Sequence, residues 1–487
     1  MSHRTLTTGA GTIVNHSHST WEYSDADKAA YQSQYLANYP GISSLEYIHL
    51  DHTAEQLLPT RRYNCWGFTF NPRQCWINSG TDVQNILNDN GNQVFPPNVR
   101  VGDVICYRDT YGIITHTGRV WSLDASANPA LIQSKWGGMG EYLHPPLTVP
   151  PSYGTDVTFW RVTPLNGKGD AWVKDYPADD RLVAPPGIAL YLSPDLWCNN
   201  TGGPLHQNPV RNQPNQLWVR VHNPDSLPIN NATIRVYWSD PTGGMPHFDW
   251  HLIGTIAVSL PAGPGAEAVA GPVMWTPGAA EPQHCCLFAI ADTGDDPFAA
   301  ATLDPIVWPF DVRRDNNIIW KNMWIVVLPP PPPPPPGPTP PPLGPAPGPP
   351  KGALFFEFVA KNIKPFTAPI EVLVNLRQVT PKEVIAMGFD ARHAGLPEQI
   401  PKKESLDAIA VKITPDGDAW RKGQLGLLRK KSKTLSMRAV PFGKGGRLRF
   451  EVSATSKARA GQIFCLNLEQ RVGGELTGGG AFVVMIK

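Results

Sequence analysis

No stretch of this 487-residue chain approaches the ~20 consecutive apolar residues of a membrane-spanning helix. Nor is Met1-Ser2-His3-Arg4 followed by an apolar segment of signal-peptide length. The expectation is a protein that is cytoplasmic or exported by a route that reads no such signal. The seven cysteines show no CxxC spacing, so no metal or other cofactor is expected. An odd number cannot all pair within one chain, so the sequence reads as carrying thiols rather than a disulfide framework. A charge excess is missing as well: the net charge is +1, which names no partner.

Proline and tryptophan are abundant, at 53 and 16 residues. High Pro and Gly with many short apolar runs points to β-rich domains, and the length requires more than one core. Residues 1–45 are polar, with one short helix expected within Ala29 to Tyr39. His16 and His18, and His49 and His52, read as loop residues rather than metal ligands. Asp82 to Asp89 has the pattern of a short amphipathic helix, stopped at Asn90-Gly91. From about residue 190 the pattern becomes alternation: Leu217, Val219 and Val221 share one face, and Ile234, Val236 and Trp238 repeat it. About seven such strands imply a β-sandwich. Adjacent Cys285 and Cys286 point to opposite faces if in a strand, so at most one is expected in a core.

Pro329 to Pro350 is a proline run. It reads as a polyproline spacer of on the order of 70 Å at ~3.1 Å per residue. Alternation returns beyond it, with one short helix near Pro381 to Met387. The expected domains are therefore 1–165, 166–328 and 351–487, with 329–350 as linker. Separate expression of 1–328 and 352–487 is expected to give two folded pieces. Charge divides unevenly across this plan. Residues 351–487 hold 23 Lys+Arg against 12 Asp+Glu, leaving 19 against 29 for the first 350. The densest run is Arg429 to Lys433. The last domain could thus meet an anionic surface. Nucleic acid is not expected, because stacking aromatics are not interleaved with these cations.

Chemistry centres on Tyr63-Asn64-Cys65-Trp66-Gly67-Phe68. A helix N-terminus lowers a thiol's pKa, a neighbouring histidine supplies a base, and a polar side chain orients that base. His116, early in a strand, and Gln133 or Ser134, on the next, fill those positions in order. Cys75 and Cys106 read as packing residues. "YNCWGF", "VRVGDVICYRD", "GIITHTGRVW" and "LIQSKWGGMGEYLHP" together resemble a cysteine hydrolase domain of NlpC and CHAP type, within the papain-like superfamily, over about residues 50–165. The resemblance implies Cys65 as nucleophile and His116 as base. Gln133 is preferred over Ser134 as orienter, with Glu141 and His144 as weaker candidates. Residues 190–328 resemble bacterial immunoglobulin-like adhesion modules.

The expected fold is thus an α+β papain-like N-terminal domain followed by two mainly-β sandwiches joined by a polyproline linker. The expected function is a cysteine peptidase or amidase acting on a peptide or peptidoglycan-like substrate, in an effector or cell-wall role. The alternative is a non-catalytic surface-binding or structural protein.

Overall fold

Short polar side chains start the helices of the first unit. Ser24, Asn64 and Ser79 each adopt an extended backbone and accept a hydrogen bond from the residue three positions on. The computed structural model describes residues 6–487 except 45, 49–53, 72, 74, 125, 166–169, 180–187, 226, 240–249, 264, 279–280, 282–283, 295–315, 329–353, 361–369, 391–392, 394, 396–405, 417–433, 439–445 and 473–474.

The first unit runs β1 (His16–Ser17), α1 (Asp25–Asn38), β2 (Ser43–Ser44), β3 (Glu46–Ile48), β4 (Ala54–Gln56), α2 (Cys65–Phe70), β5 (Trp76–Ile77), α3 (Gly80–Asn90), β6 (Gly91–Val94), β7 (Val104–Arg108), β8 (Ile114–Leu123), β9 (Pro129–Lys135), β10 (Glu141–His144) and β11 (Asp156–Val162). Seven of these strands form one antiparallel sheet in the order β2-β10-β9-β8-β7-β11-β6. Both faces are covered. On one, α2 and α3 bring Phe70, Val83, Ile86 and Leu87 against Val104, Cys106 and Ile114. On the other, Ile105, Tyr107, Val120 and Ile132 pack with Val149, Tyr153 and Phe159.

The middle unit comprises β12 (Leu196–Cys198), β13 (Asn215–Asn223), β14 (Ile229–Ser239), β15 (His251–Leu260), β16 (Ala266–Trp275), β17 (Cys286–Asp292) and β18 (Ile318–Lys321). They form two sheets, β12-β13-β16 and β15-β14-β17-β18. Leu217, Val219 and Val221 face Ile234, Val236, Leu287, Ala289 and Ile319 in the sandwich core. The expected alternation is present.

The last unit contains β19 (Met323–Leu328), β20 (Leu354–Ala360), β21 (Ile370–Gln378), α4 (Pro381–Ala386), β22 (Ile409–Asp416), β23 (Thr434–Arg438), β24 (Gly446–Ala454), β25 (Ile463–Val472) and β26 (Glu475–Ile486). Its sheets are β19-β26-β25-β21-β23 and β20-β24-β22. Thr380 and Glu383 start α4 with a reciprocal capping box.

Three sequence expectations need correction. The α+β papain-like reading of the first unit gives way to a mainly-β chain. The Cys65 helix is only six residues long and stops at Asn71, and long antiparallel strands carry the architecture. Secondly, the proline run does not separate the two sandwiches. The run itself lies outside the described residues, but β19, which precedes it, pairs in parallel with β26 from Met323↔Ala481 to Leu328↔Ile486. The last unit therefore begins at Met323, and the run links two strands of one sandwich. Asn322 makes the transfer: its N–H donates to Tyr191 O (2.9 Å), and its carbonyl accepts from Ala481 N (3.0 Å).

Thirdly, the middle and last units share a core. Tyr191, Tyr237, Trp250, Cys286, Phe288, Ile290 and Trp320 pack with Val379, Val384, Phe389, Ile463, Cys465 and Val483. Tyr191 Oη donates to Asn467 Oδ1 (2.6 Å) across this seam. Cys285 lines the sandwich core and Cys286 the shared one, so both faces of β17 are buried rather than one.

Candidate functional site

Asn64 positions Cys65. Its side chain accepts from Gly67 N (2.9 Å) and donates to Ile77 O (2.9 Å), tying the start of α2 to β5. Residue 67 must be glycine, because a Cβ there would lie 1.7 Å from the Cys75 carbonyl oxygen. Cys65 is 6% exposed, and burial pushes its thiol up to about 11 against the backbone N–H of Thr117 and the helix-end N–H of Trp66, which would lower it. Cys75 and Cys106, both fully buried, are likewise pushed up by burial, to about 11 and about 12.

The side of the sheet that faces α2 is fixed by Thr117. Its Oγ1 lies 2.9 Å from Thr69 Oγ1 and 3.4 Å from Cys65 O. Arg119, two residues on, donates to Thr69 O (2.6 Å). Alternation sends His116 to the opposite side. There its ring stacks on Tyr153 at 3.9 Å between centroids and lies 5.3 Å from that of Tyr107, its cross-strand partner. A β-bulge lies directly beyond this pair. Between Tyr107 and Arg108 of β7, β8 advances by two residues, from His116 to Ile114. Ile114 thus packs with α3 while His116 turns away.

His116 is fully buried, and neither ring nitrogen has a hydrogen-bond partner among the described residues. Burial, then the nearby His144, hold its pKa well below the ordinary value. The orienting candidates divide between the two faces. Ser134 is on the His116 side, but its Oγ meets His144 Nε2 (2.7 Å) and accepts from Trp136 Nε1 (2.9 Å). Gln133 is on the Cys65 side and donates to Glu141 Oε2 (3.0 Å). Neither Gln133 nor Ser134 is hydrogen-bonded to a His116 ring nitrogen.

Sequence reasoning missed what occupies the α2 side. Glu141, fully buried, accepts from Arg73 Nε (2.6 Å) and Nη2 (2.8 Å) and from Tyr63 Oη (2.8 Å). Next to it Lys135 Nζ donates to the carbonyls of Thr60 (3.0 Å), Gly137 (2.9 Å) and Met139. Three acceptors match the three N–H groups of an ammonium, while burial pulls its pKa down to about 7. Aromatic positions 63 and 66 were visible, but nothing in the sequence joins Arg73 to Glu141.

The two histidines of the far face set an acid limit. Burial lowers His144 to about 4 from an ordinary 6.5. The unfolded chain then binds the proton first, so stability is intact above about pH 6.5 and is lost as pH falls toward 4. Denaturant midpoints at pH 7, 5.5 and 4.5 should fall in that order, and His144→Phe should flatten the slope. An unchanged slope in the variant would remove His144 from this role.

No family model matches the chain, and no curated protein matches it. Several solved structures are similar. A collagen adhesin from S. aureus is 8% identical, with 60% of this chain and 92% of that chain covered and a TM-score of 0.16. The CfaE adhesin of enterotoxigenic E. coli is 7% identical, covering 66% and 94%, with a TM-score of 0.17. Red sea bream transglutaminase is 11% identical, covering 78% and 40%, with a TM-score of 0.14. At such TM-scores these likenesses carry nothing about function. The NlpC and CHAP resemblance is thus corrected: no family or curated match supports it. No helix among the described residues is long and apolar enough to cross a membrane.

Proposed function

We propose that this chain is a non-catalytic surface-binding or structural protein. What supports the reading is that Cys65 and His116 are each buried, with the thiol pushed up to about 11 and neither ring nitrogen of His116 hydrogen-bonded among the described residues. A nucleophile needs its base within hydrogen-bond reach, and neither His116 nitrogen makes such a bond among the described residues. The two sandwiches, fused through one core, supply a stiff support of the kind that a binding or structural part needs. The basic surplus of residues 351–487 supports an anionic surface as partner for the last unit; Arg429 to Lys433 themselves lie outside the described residues.

An activated ester tests this without knowledge of any ligand. p-Nitrophenyl acetate acylates any exposed, ionised thiol. The full chain at pH 7.5 is expected to release p-nitrophenol at the rate of its Cys65→Ala variant, with no burst. A burst of one equivalent that vanishes in Cys65→Ala would overturn the reading.

A further inference from the structure

A groove of about 320 Å³ opens beside the loop that leads into α2. Ser17, His18, Ser19, Thr20, Trp21, Arg61 and Trp76 line it. The β1–β5 pairing builds one wall, with Ser17 opposite Trp76, and Trp76 Nε1 donates to Arg61 O (2.6 Å). Arg61 N donates to Glu22 Oε1 (3.1 Å). The backbone of Arg61 is thus fastened at both its N–H and its carbonyl.

Its side chain is held differently. The guanidinium carbon lies 3.8 Å from the centroid of Trp21, and Trp21 remains 54% exposed. Stacking engages the face of the guanidinium, whereas its N–H donors point outward in its plane. The buried Nε has no hydrogen-bond partner among the described residues. A cation is therefore presented beside two indoles and a run of hydroxyl groups, with no carboxylate paired to it among the described residues.

We infer that this groove binds a carboxylate-bearing sugar ring. A planar guanidinium matches a carboxylate. Indole faces take the C–H face of a pyranose, and Ser17, Ser19, Thr20 and His18 offer partners for ring hydroxyls. The volume is at the small end of ligand pockets, about 300–1,000 Å³, which suits one sugar unit rather than a polymer segment. Nucleic acid fits less well. It needs several phosphate contacts, and the first 350 residues carry a net −10.

This inference deepens the binding reading, since it names one ligand class, but its geometry does not depend on the state of Cys65. The test is titration of the full chain with D-glucuronate, followed by tryptophan fluorescence and calorimetry. D-glucose, acetate and oligo-dT serve as comparison probes. Saturable binding of glucuronate, at least about tenfold tighter than that of glucose or acetate, is expected. Arg61→Gln should reduce glucuronate affinity to the glucose level while leaving the melting temperature unchanged, because the fastened groups are backbone. Trp76→Phe should weaken both sugars. No saturable glucuronate signal, equal affinity in Arg61→Gln, or oligo-dT displacing the sugar would each overturn the inference. All three results would leave the p-nitrophenyl acetate outcome untouched.

Discussion

A fragment spanning 351–487 should fail to fold, even though the proline run makes it look like a free domain. It lacks β19, the strand that pairs with β26 along six residues. It also loses cover for Val379, Val384, Phe389, Ile463, Cys465, Leu476, Ala481 and Val483, all buried in the core shared with the middle unit. At ~1.5–3 kcal/mol for each of the larger side chains, the loss is on the order of 10 kcal/mol. That equals the whole net stability of an ordinary domain, ~5–15 kcal/mol. The complementary fragment 1–328 would expose Tyr237, Trp250, Phe288 and Trp320 and carry β19 without its sheet. Circular dichroism and urea titration of both fragments should show aggregation or non-cooperative unfolding, and mixing them should restore a cooperative transition. Two fragments that each unfold cooperatively alone would return the proline run to the role of interdomain spacer.

Glu141→Ala is expected to be the most damaging single change in the first unit. The carboxylate accepts from Arg73 twice, from Tyr63 and from Gln133. The Glu141 side chain is fully buried and that of Arg73 is 13% exposed. Removing one partner leaves a guanidinium, a phenol and an amide without their acceptor, and breaking a buried pair costs about 3–5 kcal/mol. Glu141→Gln keeps the shape and one oxygen, so it should cost less. Replacing both members, Glu141→Leu with Arg73→Met, should recover part of the loss, because neither charge is then stranded. Urea midpoints of the four proteins measure this. A loss below ~1 kcal/mol for Glu141→Ala would mean that the network relaxes into solvent.

Local chemistry made the helix starts and strands legible. The amphipathic pattern of Asp82 to Asp89 announces α3, and the alternation of Leu217, Val219 and Val221 announces β13. Long-range pairing was not legible in the same way. "NNIIWKNMWIVV" reads as one apolar run, yet Ile318 to Lys321 stay in the middle sheet and Met323 to Leu328 enter the last. Only Asn322 separates them, and the partner strand lies about 160 residues away. The near-continuous apolar run Cys285 to Ala291 did carry a signal of burial on both faces.

At the candidate site, the helix start at Cys65 and the strand of His116 were readable. The bulge in β8 was not: its one extra residue puts Ile114 and His116 on opposite faces. The choice between Gln133 and Ser134 assumed that one face of β9 meets the core. Both faces do: Gln133 is 2% exposed, and Ser134 and Lys135 are fully buried.

The most direct test of the central claim is the reactivity of Cys65 in the native full chain. Iodoacetamide labelling from pH 6 to 9, with each cysteine quantified by mass spectrometry, compares it with two buried thiols of the same unit. The account predicts that Cys65 labels as slowly as Cys75 and Cys106 throughout, and that His116→Ala does not change its rate. Rapid labelling of Cys65 well below the free-thiol value of ~8.5, slowed by His116→Ala, would contradict it.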